Sequence, residues 1–158
     1  MTLWYSKVWH ARNVLRGEIM NKMQQFERFN YTLMIKEHHL DTFGHVNNAT
    51  YLELFEEARW DFVTARGFGL DYIHQMKMGP VVLACHIKFI KELRLRQCIT
   101  IESQTLHYER KIGSLIQRIF NEQQELCCEA TMTFGLFDMV NRKLMTPTPE
   151  WFKAMGKV

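Results

Sequence analysis

The sequence predicts an α+β fold, an antiparallel β-sheet packed around one long helix. Three observations predict it. Residues 48–66 carry a helical apolar stripe, the only long one in the chain. Residues 81–137 break into four strand-like segments rich in Val, Ile, Thr, Cys and Phe. The connectors between the later segments are too short for crossover helices, so neighbours pair antiparallel. A length of 158 residues favours one domain.

In chain order, residues 30–37 place Tyr31, Leu33 and Ile35 at period two and read as a strand. Residues 38–48, HHLDTFGHVNN, are rich in turn formers and read as a loop. In the helix, Tyr51, Leu52, Phe55, Ala58, Phe62 and Ala65 recur every three or four residues. Asn47 or Asn48 caps its start, and Gly67 stands where a left-handed C-terminal residue belongs. The stripe is wide and aromatic, so burial on more than one side is expected. Residues 70–78 read as a short second helix. Strands are expected at 81–90, 98–108, 114–122 and 126–137, a turn at 138–142, and a terminal helical turn at 149–155. One sheet on one helix leaves a helical face uncovered, and pairing with a second copy covers it.

Composition narrows the function classes. The hydrophobic fraction of 47% and charged fraction of 23% exclude wholesale disorder. The 10 Met and 13% aromatic residues supply a sizeable, adaptable core. No apolar run is long enough for a transmembrane helix, so no membrane partner is expected. The net charge of +3 sits in residues 1–25, where Lys7, Arg12, Arg16 and Lys22 face Glu18 alone. The body is therefore neutral, which argues against nucleic acid as a partner. Residues 1–25 resemble a weak targeting segment, but serine is scarce, and a flexible extension or a later start at Met20 or Met23 fits better. Residues 26–158 are left as the folded domain. No secretory apolar region precedes it, so a cytoplasmic location is expected. Cys85, Cys98, Cys127 and Cys128 have neither zinc nor disulfide-scaffold spacing and are expected as reduced thiols buried in strands. His38, His39 and His86 find no third ligand at a convincing spacing, so no metal is expected.

The chemically informative stretch is Asp41-Thr-Phe-Gly44-His45-Val-Asn47-Asn48-Ala-Thr-Tyr51, between the first strand and the helix start. Unpaired N–H groups at a helix N-terminus favour developing negative charge. They can serve as an oxyanion hole. A carboxylate beside one can act as nucleophile or as general base on water. A loop aspartate also commonly makes an Asx turn or a cap.

The motif Asp41-xx-Gly44-His45-Val46-Asn47-Asn48-xx-Tyr51, followed by Phe55-Glu56-Glu57-Ala58-Arg59, resembles the signature of the 4-hydroxybenzoyl-CoA thioesterase-like acyl-CoA thioesterases, which have the hotdog fold. The resemblance covers roughly residues 28–152. It implies that Asp41 is the catalytic carboxylate, that the amide near Asn48 polarises the thioester carbonyl, and that His45 orients Asp41 or water or packs within the loop. Gly44 would let the chain turn beside the substrate, with Asn47 nearby, and Tyr51 and Phe55 would line the acyl pocket or pack the core. Arg110 and Lys111 match by position a basic turn that contacts the nucleotide, and Lys88, Lys91, Arg94 and Arg96 form a second basic cluster. Glu57 is a reserve candidate for the catalytic acid. Relatives often have Gly-Asp where this chain has Arg96-Gln97. A hydratase branch pairs an Asp with a His five residues later across an Asn-Pro; here the spacing is four and Asn-Pro is missing.

The expected function is therefore hydrolysis of an acyl-CoA or acyl-carrier-protein thioester. No cofactor is expected, coenzyme A being part of the substrate, and the assembly implied is a homodimer or homotetramer. A non-catalytic acyl-CoA binding module and an enoyl-CoA hydratase are the alternatives.

Overall fold

The apolar stripe does become one long helix, α1 (Asn48–Ala65), in the computed structural model, which describes residues 26–158. The reading of residues 1–25 falls outside the described residues. Asn47 is the cap: its side chain accepts from the Ala49 N–H. At the other end the Gly67 N–H bonds Thr64 O and the Phe68 N–H bonds Val63 O, with Gly67 at φ +85°. That is a Schellman stop, and it fixes the helix end at glycine.

Burial of α1 is one-sided. Tyr51, Leu54, Phe55, Ala58, Phe62 and Val63 are buried, whereas Leu52 remains 42% exposed beside Glu53, Glu56 and Glu57. The expectation of burial on several sides is thus corrected. The sheet covers one face only, and no second layer lies on the outer face among the described residues.

The sheet holds β1 (Arg28–Met34), β2 (Met78–Phe89), β3 (Cys98–Glu109), β4 (Ile112–Phe120), β5 (Leu126–Asp138) and β6 (Lys143–Met145). Their order is β1-β3-β4-β5-β2, every pairing is antiparallel, and β6 adds to β5. Two short helices, α2 (Leu70–Met76) and α3 (Pro149–Ala154), complete the fold. Strand β2 starts before Gly79-Pro80 rather than after it. Proline is tolerated there because β2 is an edge strand, where no neighbour needs its missing N–H. Strand β6 was not foreseen; three residues are too few to show a period.

Two apolar clusters lie along α1. One surrounds Phe55 with Ile35, Ile101, Ile119 and Met132. The other surrounds Phe62 with Phe68, Phe134 and Trp151. Between them Gln117 is fully buried and satisfied: its Nε2 donates to Phe55 O and Ser103 Oγ, and its Oε1 accepts from Arg59.

Candidate functional site

Strand β1 leads through a short 3-10 turn (Glu37–His39) into the loop that carries the motif. The loop is tied down at both ends. The Asp41 N–H bonds His45 O and the Gly44 N–H bonds Asp41 O, which makes a tight turn. The Val46 N–H bonds Leu93 O, and His45 bridges Arg94, anchoring the turn to the segment before β3. Gly44 sits at φ +81° with open space where a side chain would go, so the backbone conformation, rather than crowding, calls for glycine there.

Within this frame the Asp41 side chain is mostly covered, at 18% exposure. Its Oδ1 accepts from the Phe43 N–H at 2.9 Å, an Asx turn. Its Oδ2 lies 3.3 Å from His45 Nδ1. One oxygen is thus spent on holding the loop, and the other is fixed beside an imidazole. The His45 ring stacks near Phe43, centroids 5.9 Å apart.

A cavity of about 420 Å³ opens here, lined by Asp41, Phe43, His45, Asn48, Tyr51 and Lys91 among others. The Asn48 N–H occupies the first helical position and has no acceptor among the described residues. The neighbouring Ala49 N–H is already used by the Asn47 cap. A carboxylate, a free helix-end amide and an apolar wall therefore meet in one cleft. The helix dipole adds to the amide's pull on negative charge.

Asp41, His45, Asn48 and Tyr51, all singled out from sequence, come together. Tyr51 serves mainly as packing: it is 4% exposed and meets Phe89 edge-on at 5.2 Å. Burial pushes its hydroxyl up to about 12. Phe55 is fully buried in the core, away from the cavity. Asn47 and Gly44 shape the loop and the helix start rather than lining the cleft.

Arg110 and Lys111 are not brought to Asp41 within one chain. They form the β3–β4 turn, at the opposite end of the sheet, and Lys111 Nζ donates to Leu144 O. The cation that lines the cleft is Lys91, which pairs with Glu125 at 2.5 Å. Phe43, Phe89, Ile90 and Glu92 also line it and were not foreseen. Their only signal was exposure of apolar groups, Phe43 at 84% and Ile90 at 54%, which a sequence does not display. Glu57 points elsewhere, to the Tyr31 hydroxyl.

The remaining expectations divide. Cys127 and Cys128 are buried free thiols, but Cys85 is exposed on the edge strand and Cys98 half-buried, so burial of all four is corrected. At Arg96, where relatives often have glycine, the backbone takes φ +67°, the left-handed conformation that glycine favours. The departure in residue type keeps the turn. No helix among the described residues is long and apolar enough to cross a membrane.

A single antiparallel sheet cupping one helix, with a carboxylate at the helix start, is the hotdog arrangement. The thioesterase-like superfamily matches residues 35–155, and the chain belongs to it. It is a thioester hydrolase. A similar curated protein is the long-chain acyl-CoA thioesterase FadM of Escherichia coli, 32% identical over 114 residues, 72% of this chain and 86% of that one. Among solved structures, the probable thioesterase YbaW of Escherichia coli superposes with a TM-score of 0.70 at 30% identity, covering 80% of this chain and 95% of that one. A hypothetical protein of Staphylococcus aureus in complex with CoA, SAV2348, shares the fold with a TM-score of 0.77 at 17% identity, over 82% of each chain.

Proposed function

We propose that the chain hydrolyses acyl-CoA thioesters to free acid and CoA. The observation that carries this reading is the single cleft lined by both Asp41 and Asn48, where the Asn48 N–H has no acceptor among the described residues. The thioester carbonyl accepts from that amide, which stabilises the oxyanion as it forms. Asp41 then acts as general base on water or as the attacking nucleophile, and its hydrogen bond from Phe43 N–H and its contact with His45 hold it in place. CoA leaves as the thiol. Carboxylate, amide and water suffice for this chemistry, so no metal or redox cofactor enters the proposal. The similarity to a long-chain acyl-CoA thioesterase supports CoA as the thiol carrier.

In this reading the phosphates of CoA are met by Lys91, which lines the cleft, and by Arg94, bridged to His45. Arg110 and Lys111 belong to the proposal only through a second copy. The proposed assembly is a homodimer joined along β2, whose outer edge has no neighbour among the described residues. Antiparallel pairing of two β2 edges turns the Arg110 end of one copy toward the Asp41 end of the other. Free thiols throughout fit a cytoplasmic location.

The test is thiol release from a panel of acyl-CoAs by the native chain and by Asp41→Asn. A fall of about a hundredfold or more, with folding intact, is expected for loss of a positioned acid–base group. Equal activity in both proteins would remove Asp41 from the mechanism, and binding without release would make the chain a carrier of acyl-CoA.

A further inference from the structure

The segment that carries Asp41 is a small hairpin, and His39 closes its mouth. The His39 carbonyl accepts from the Asn47 N–H at 2.9 Å, which satisfies one of the free N–H groups at the start of α1. Leu40 and Val46 bridge next, and then the Asp41 N–H reaches His45 O. Asp41 lies inside this hairpin, and the Asn48 N–H follows its last residue. Both chemical groups of the cleft therefore depend on how the hairpin is seated.

On its other side His39 is tied back by its ring. The Lys36 N–H donates to His39 Nδ1 at 3.0 Å, and the His39 N–H returns a bond to Lys36 O at 3.1 Å. Strand β1 has ended at Met34, and the Lys36 N–H has no other acceptor among the described residues. A backbone N–H can only donate, so Nδ1 is bare and the neutral ring carries its proton on Nε2. A proton on Nδ1 would set donor against donor and break the bond. The imidazole is buried, at 8% exposure, and the His38 ring stands edge-on to it with centroids 4.2 Å apart. The charged groups that face it are Lys36 and His38 on its own turn and Glu53 and Glu57 on α1, while Glu37 is paired with Arg96. Burial, followed by the charge of His38, pushes the His39 ring below the ordinary histidine value.

We propose that His39 is a positioning residue for thioester hydrolysis: its bare Nδ1 holds the turn after β1 closed, and the turn holds Asp41 and the Asn48 N–H in register. His39 does not line the Asp41 cleft, so it acts through the hairpin rather than on the substrate. This role rests on the hydrolysis proposed above. It also makes the reaction sensitive to acid through a group outside the cleft. Folding weakens the ring's hold on a proton, so the contact is complete above the ordinary value of 6.5 and is lost as pH falls below it.

The test follows thiol release from acyl-CoA across pH for the native chain, His39→Asn and His39→Leu. The Asn side-chain oxygen can accept where Nδ1 does and takes up no proton, whereas Leu fills the space and accepts nothing. Near neutral pH His39→Asn should keep kcat/KM within about threefold, and His39→Leu should lose about tenfold or more, mainly in kcat, as expected when catalytic groups are displaced. In acid the activity of His39→Asn should fall less steeply than that of the native chain. Nitrogen-15 NMR of the native ring should show the Nε2–H tautomer, with a titration midpoint below that of a free histidine. Circular dichroism and thermal midpoints check that each variant folds. Full activity in His39→Leu, equal loss in both variants, matching acid limbs in the native chain and His39→Asn, or a proton on Nδ1 each overturns the role of His39 alone. A native chain that releases no thiol overturns the hydrolysis and this role together.

Discussion

Tyr31 and Glu57 show how a single contact decides between two roles for a residue. Glu57 lies on the exposed face of α1, where sequence makes it a plausible acid for the reaction. Its Oε1 instead accepts from the Tyr31 hydroxyl of β1 at 2.5 Å. That bond, with burial behind it, pushes the phenol up to about 12 from 10.0. The folded protein therefore keeps a proton that the unfolded chain loses above about pH 10. The contribution is complete below about 10 and is lost as pH rises through about 12. Tyr31→Phe should be less stable than the native protein at neutral pH, and the gap should close in that alkaline window. Urea denaturation across the range measures it, and a gap that stays constant with pH would refute the assignment. At this scale the sequence was legible where the motif is local: Asp41, His45 and Asn48 are neighbours in the chain and in space. Phe89 and Ile90 were not, because only the fold of the sheet brings them to the cleft.

Elements were legible wherever the hydrophobic period runs long enough to be counted. Strands β3 and β5 run for 12 and 13 residues, and their positions follow from long stretches rich in Val, Ile, Thr, Cys and Phe. Strand β6 spans 3 residues and has no period, and Gly79-Pro80 hid the start of β2 because its edge position was not yet known. What periodicity also misses is close approach. Gly113 opens β4 opposite Phe134 and Tyr108. A Cβ there would lie 2.5 Å from Phe134 Cζ and 2.8 Å from Tyr108 Cδ2. Those rings cannot retreat, since they pack on each other and Tyr108 Oη holds the Trp151 indole N–H. Gly113→Ala should cost about 1–3 kcal/mol, the usual penalty of overpacking. A lowered denaturant midpoint with an unchanged slope is the expected reading, and an unchanged midpoint would show that β4 shifts freely.

For the whole molecule the open question is what meets the uncovered edge. Strand β2 pairs with β5 on one side alone, across 12 residues. Most of its length is exposed, including Val82, Leu83 and Phe89, at 46%, 46% and 53%. A long edge with apolar side chains invites another strand, and natural monomers usually blunt it with charge. Lys88 is the only charged residue in β2, and it is already paired with Glu129 of β5. A two-fold pairing of β2 with its own copy satisfies the free backbone groups and covers these apolar side chains at once. It also places a second chain against the Asp41 cleft, whose wall includes Phe89 and Ile90 at the end of the same strand. Leu83→Lys puts a charge in the middle of that edge without entering the core. Sedimentation velocity should show a dimer for the native chain and a monomer for the variant. Thioester hydrolysis should fall with the dimer, because the cleft loses the wall that the second copy supplies. A variant that stays dimeric would move the interface off β2, and a monomer with full activity would show that one chain completes the site alone.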